Sequence, residues 1–154
     1  MPKLLFFVAC ERVIVSREGP ISLITLLEGL TTSLPSDTYD KLPDDAIAPI
    51  IWHVVTKWSR EEIQNEEPAR WQQRITVSAH DGRVATDATT EFELATSLAM
   101  RNIVQVNGLP IKPVGHDKIT LFLRKADDTD SYWQEIATYI LKVENIPPPA
   151  DQPA

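Results

Sequence analysis

The sequence predicts an all-β protein, a single-domain antiparallel β-sandwich of about eight strands that leaves room for one short helix. Three observations carry this reading. Residues 71–79 alternate, with Trp71, Gln73, Ile75, Val77 and Ala79 on one parity and Gln72, Arg74, Thr76 and Ser78 on the other, the pattern of a half-covered strand. Turn dipeptides recur at short spacing, Asp81-Gly82 and Asn107-Gly108, both tolerant of the positive φ that tight turns require. No linker or internal repeat divides the 154 residues, which suffice to bury one core without metal or disulfide. The domain is expected over 1–146, with 147–154 as a Pro-rich, extended and flexible tail.

Residues 4–10 open the chain as an apolar run on both parities and continue through Val13-Ile14-Val15 as a strand. Lys3 before this run gives it the look of a targeting signal, but seven apolar residues followed by Glu11-Arg12 are too few. No stretch approaches the ~18 apolar residues that cross a bilayer, so the expectation is a soluble cytoplasmic protein. Residues 21–34 stay open between strand and helix: Leu23, Leu26, Leu27, Leu30 and Leu34 have helical spacing, while Thr25, Gly29, Thr31 and Thr32 are poor helix formers. Residues 35–45 read as a long acidic loop. Residues 47–55 are again apolar on both parities, which suits a strand covered on both sides or one that also forms an interface. Ser59–Pro68 is a charged excursion in which Ser59 and Glu62 have capping-box spacing, enough for one helical turn.

After the strand at 71–79 and its Asp-Gly turn, Val84 begins the return strand. Phe92 and Leu94, Val104 and Val106, Ile119, Leu121 and Leu123, then Tyr139, Leu141 and Val143 mark further strands, with Asn107-Gly108 and Pro113-Val114-Gly115 as connections.

The opening Pro2–Glu11, the Ile21-Ser22-Leu23-Ile24 step after Gly19-Pro20, the Trp52-His53 strand and the Arg101–Pro110 block resemble a family of small bacterial β-sandwich proteins of unknown function. The resemblance spans most of the chain. It implies the same fold and carries over no activity, cofactor or site residue.

Function is less legible. A net charge of −7 without a run of like charges argues against nucleic acid or an anionic membrane as partner. The single cysteine, Cys10, lies in an apolar run and reads as a small buried hydrophobe. His53, His80 and His116 have none of the i, i+2 or i, i+4 spacings that present two metal ligands on one face. There is no Gly-x-Ser-x-Gly elbow or Gly-rich phosphate loop, so the sequence predicts no enzyme and no cofactor.

Three readings remain. The leading one is a non-catalytic binding or assembly module acting through protein contacts, with self-association through residues 4–10 or 47–55. The second is a carbohydrate-binding module that uses Trp58 with Phe122 or Trp133 as a platform. Trp58 flanks Lys57 and Ser59 at a strand end and is expected to be exposed, and Phe122 is an apolar residue on the polar parity of Thr120 and Arg124. The third is a calcium site at Asp127, Asp128 and Asp130, which needs a second acidic loop, Asp44-Asp45 or Asp37-Asp40, at the same end.

Overall fold

The computed structural model describes residues 1–16, 20–60, 69–94, 99–128 and 132–149. The chain runs β1 (Lys3–Val15), β2 (Ile21–Leu26), β3 (Gly29–Thr32), α1 (Ser36–Lys41), β4 (Ile47–Ser59), β5 (Arg70–Ser78), β6 (Val84–Glu93), β7 (Ala99–Pro110), β8 (Gly115–Lys125) and β9 (Gln134–Asn145). These nine strands make a four-stranded sheet, β2-β1-β4-β7, and a five-stranded sheet, β3-β9-β8-β5-β6, in a sandwich-like arrangement with a curled, half-barrel sheet. Neighbouring strands are antiparallel except β3 and β9, which run parallel.

Alternation decides which side chains meet between the sheets. Trp52, Val54, Thr56 and Trp58 of β4 face Gln73, Ile75 and Val77 of β5 and Ile119, Leu121 and Leu123 of β8, all buried. Each large aliphatic side chain removed from water in this way contributes about 1.5–3 kcal/mol. One polar residue ties the layers together: Gln73 Oε1 accepts hydrogen bonds from Thr56 Oγ1 at 2.8 Å and from Trp58 Nε1 at 2.9 Å. A satisfied acceptor in an apolar interior is directional, so this clamp sets how one sheet sits over the other.

Residues 21–34 prove to be neither one strand nor one helix. β2 belongs to the four-stranded sheet, and the chain changes sheet between two consecutive residues. Leu27 N donates to Ala9 O at 2.9 Å, while Glu28 O accepts from Lys142 N at 3.0 Å. Leu27 and Leu30 both pack on the core, which accounts for a leucine spacing that imitates a helix. Gly29 is fitted to the crossover, because a Cβ there would run into the Lys142 carbonyl oxygen.

Two further expectations change. The acidic loop at 35–45 contains α1, six residues with Asp37 in its first turn and Lys41 in its last, each at the favourable end of the helix dipole. Asn107-Gly108 is not a hairpin turn: β7 passes through it, and Gly108 takes φ 84° opposite an irregularity between Ala48 and Ile51 of β4. A bulge and a turn make the same demand for positive φ, so the dipeptide alone does not separate them. Asp81-Gly82 does turn the chain, with Gly82 at φ 88°, Gly82 N bonded to Ala79 O and Arg83 N to Asp81 Oδ1. The helical turn expected after Ser59 falls on 61–68, outside the described residues. Residues 147–149 lie beyond β9 without regular structure, and the remainder of the tail is also outside the described residues.

Candidate functional site

The two sheets have outer faces of opposite character. On the five-stranded sheet, the register places Gln72, Arg74 and Thr76 of β5 between β6 and β8. Arg74 forms a bidentate pair with Asp87, at 2.8 and 2.5 Å. That hydrogen bond holds the Asp87 carboxyl below the usual carboxylate range. Arg70 bonds Glu91 and Asp127, and Lys142 bonds Glu144.

The same arginines cover the aromatics. The Arg74 guanidinium lies 6.0 Å from the Phe122 ring centre, and that of Arg124 lies 4.4 Å from a Trp133 ring while its Nε donates to Gln72 Oε1 at 2.9 Å. Both rings are half-buried. A cation stacked on an aromatic face stabilises it and occupies the surface that a sugar would stack on. Trp58 is not at the surface at all. It is 0% exposed, stacked on Phe92 at 5.7 Å and bonded to Gln73. Its parity with Trp52 and Val54 on β4 is the signal that places it inside. The structure therefore does not gather Trp58, Phe122 and Trp133 into one platform.

The outer face of the four-stranded sheet is built differently. Its β1 positions are Phe6, Val8, Cys10, Arg12 and Ile14, and those of β4 are Ile51, His53, Val55 and Lys57, with Arg101, Ile103, Gln105 and Asn107 on β7. Ile24 and Leu26 of β2 lie opposite Arg12 and Cys10. Val55 and Cys10 are fully buried yet stand apart from the core between the sheets. Around them Ile51 is 60% exposed and Leu26 53%, and Ile14, Ile24 and Ile103 are exposed as well. Thr25, between Ile24 and Leu26, takes φ 53°, which costs a β-branched residue roughly 1–2 kcal/mol.

The charges on this face are cationic. Lys57 and Arg101 are cross-strand partners beside Phe6, Lys3 pairs in register with Ser59, and Arg12 lies further along β1. Among the described residues no carboxylate lies within 4 Å of Lys3, Lys57 or Arg101, and Arg12 has only a 3.8 Å contact with the exposed Glu11. The face also brings Cys10 opposite His53, a pairing that in other settings makes a nucleophile. Here burial pushes the Cys10 thiol up, away from the thiolate, and His53 Nδ1 lies 3.2 Å from the Glu11 carbonyl oxygen.

A second polar site lies at the end of the sandwich where β5 turns into β6. His80 and His116 meet edge to face at 6.4 Å between ring centres, and His80 Nδ1 accepts the His116 backbone N–H at 3.2 Å. Gly115 lies flat against the His80 ring and admits no Cβ. Inside this corner is Asp117, 1% exposed, with no hydrogen bond to either carboxylate oxygen. Burial pushes its pKa up to about 6, against the partial help of the His80 backbone N–H, His80 itself and Arg83. The His80 amide favours the anion without completing a hydrogen bond of good geometry. Asp117 shares parity with Ile119, Leu121 and Leu123, a signal that the alternation of β8 already contains.

Among the described residues no three His, Cys, Asp or Glu side chains gather as a metal ion requires. The acidic loops also lie apart. Asp127 bonds Arg70 at the start of β5, whereas Asp40 and Asp44 neighbour Lys112, whose carbonyl oxygen bonds Arg83 just past its end. A nine-residue strand puts about 25 Å between these ends. Asp130 is outside the described residues.

No protein-family model matches the chain, and no curated protein matches it.

Proposed function

We propose that this protein is a non-catalytic binding module that acts through protein contacts, and that its contact surface is the outer face of the four-stranded sheet. The observation that carries the reading is the position of Val55 and Cys10, buried outside the inter-sheet core and ringed by exposed Ile51, Leu26 and Ile103. An isolated surface apolar residue is ordinary, but a contiguous set across four strands is the composition of an interface centre. The two segments that are apolar on both parities, 4–10 and 47–55, are adjacent in this sheet as β1 and β4, so their second apolar parity falls on one surface.

A photo-crosslinking side chain at position 103, compared with one at position 89 on the opposite outer face, tests the assignment in cells that make the protein. Adducts to protein at 103 and none at 89 are expected; equal yields, or adducts only at 89, would refute it. Light scattering on the purified chain then separates a second copy from a different protein as the partner.

A further inference from the structure

The charges around the apolar surface restrict what can cover it. Lys57 and Arg101 form a cross-strand pair in the Phe6 row, with Lys3 beyond them, and Arg12 lies six residues from Phe6, about 20 Å along the strand. Between these cationic ends lie Val8, Ile103 and Leu26, with Ile51 level with Arg12 at the far end. The chain as a whole carries a net charge of −7, so Lys3, Lys57 and Arg101, with no carboxylate within 4 Å among the described residues, run against its composition. Arg70 and Arg74 on the opposite sheet, by contrast, sit on carboxylates.

We propose that this face docks an acidic segment of another protein, with apolar residues at its centre and carboxylates towards both ends. The carboxylates meet Lys57 and Arg101 at one end and Arg12 at the other, and the apolar centre covers Val8, Ile103 and Leu26. A second copy stacked face to face is disfavoured, because either orientation brings cation against cation. Complementary charge sets register and encounter rate, while the desolvated apolar centre holds the complex. The inference rests on the contact surface proposed above and adds the chemistry of its partner.

Selection of a displayed library of random 12-residue peptides on the immobilised full chain tests it. Enriched peptides should carry Asp or Glu flanking two or more apolar residues. Their binding should weaken at least tenfold in Lys57→Glu/Arg101→Glu, weaken between 50 and 300 mM salt, and stay unchanged in Arg74→Glu on the opposite face. Peptides with the acids replaced by Lys should bind the Lys57→Glu/Arg101→Glu variant better than the wild type, a gain that a misfolded variant would not give.

No enrichment, a basic or uncharged consensus, or equal binding to wild type and variant would overturn the proposal. So would binding to vesicles containing 30% phosphatidylserine in preference to any peptide, which would assign the face to a membrane. Crosslinks at position 103 to a partner whose bound segment lacks acids would leave the contact surface standing and overturn its charge assignment alone.

Discussion

On the five-stranded sheet Arg74 closes on Asp87, Arg70 on Glu91 and Asp127, and Arg124 on Gln72 and the face of Trp133. On the four-stranded sheet Lys3, Lys57 and Arg101 have no carboxylate within 4 Å among the described residues, and Ile51 and Leu26 are exposed. Both faces follow from the same two-residue period, and both mix apolar with charged positions. They differ in whether the register brings opposite charges onto neighbouring strands. The first face pairs most of its arginines within the monomer, although Lys118 on β8 is exposed beside Ile140 with no carboxylate within 4 Å among the described residues. The second keeps its apolar surface and its cations available, and for that reason, rather than for hydrophobicity alone, it is the better candidate for a contact surface.

The largest expected effect comes from placing a charge on each outer face. Val55→Asp buries a carboxylate without a partner and should cost about 3–5 kcal/mol in urea unfolding, enough to prevent folding in a marginally stable domain. Thr89→Asp, at an exposed position beside Arg74 in register, should stay within about 1 kcal/mol of wild type. Equal costs would mean that the two faces are not different in kind.

Asp117 supplies the third case, a charge unpaired and also enclosed. Its folded pKa of about 6 lies above the ordinary 3.8, so the folded protein holds a proton that the unfolded chain releases. Stability should therefore fall as pH rises from about 4 to 6, by about 3 kcal/mol in total, and be level above that window. The groups around it are His80, Asp81 and Arg83 from the turn, with His116 next to it on β8 and Lys142 opposite His116 on β9. Asp117→Asn should remove this fall and gain about 1–3 kcal/mol at pH 8. Denaturation at a series of pH values checks it, and a variant no more stable at pH 8 than wild type would show that the carboxylate finds partners in solution.

Smaller effects should refine the picture. Removing the exposed pair with Arg74→Ala should cost about 0.2–1 kcal/mol, diminishing with salt, because solvent screens it. Thr25→Gly relieves a left-handed backbone at the edge of the apolar face and should gain about 0.5 kcal/mol after the entropy of glycine is counted. A thermal melt of each variant reads both.

The sequence made the strands legible wherever one parity was covered, as in β5, and where both were, as in β1 and β4. It was misleading where one signal serves two structures. Leu23 to Leu34 imitate a helix because the chain changes sheet inside the run, with Leu26 of β2 on the outer face and Leu27 and Leu30 on the core, and Asn107-Gly108 supplies a bulge with the φ of a turn. The neighbours Lys57 and Ser59 suggest a surface position for Trp58, whereas its parity with Trp52 points inward, where it lies.

The candidate surface was half legible. Apolar residues on both parities at 4–10 and 47–55 indicated an unusual face, but cations without partners are a property of register. Nothing in the linear order states that Lys57 lies beside Arg101, or that Arg74 reaches Asp87.

The pairing of β3 with β9 joins residues 29–32 to residues 142–145. During synthesis, the four-stranded sheet has all of its strands once residue 110 has left the ribosome, whereas β3 must wait for the last strand of the chain. Closing so long a loop is slow, and partly built sheets expose apolar surface while they wait. Until β8 and β9 emerge, only the β5–β6 hairpin is available to cover the inner surface of the four-stranded sheet, so a nascent chain shows part of the surface destined for the interior together with the one that stays outside.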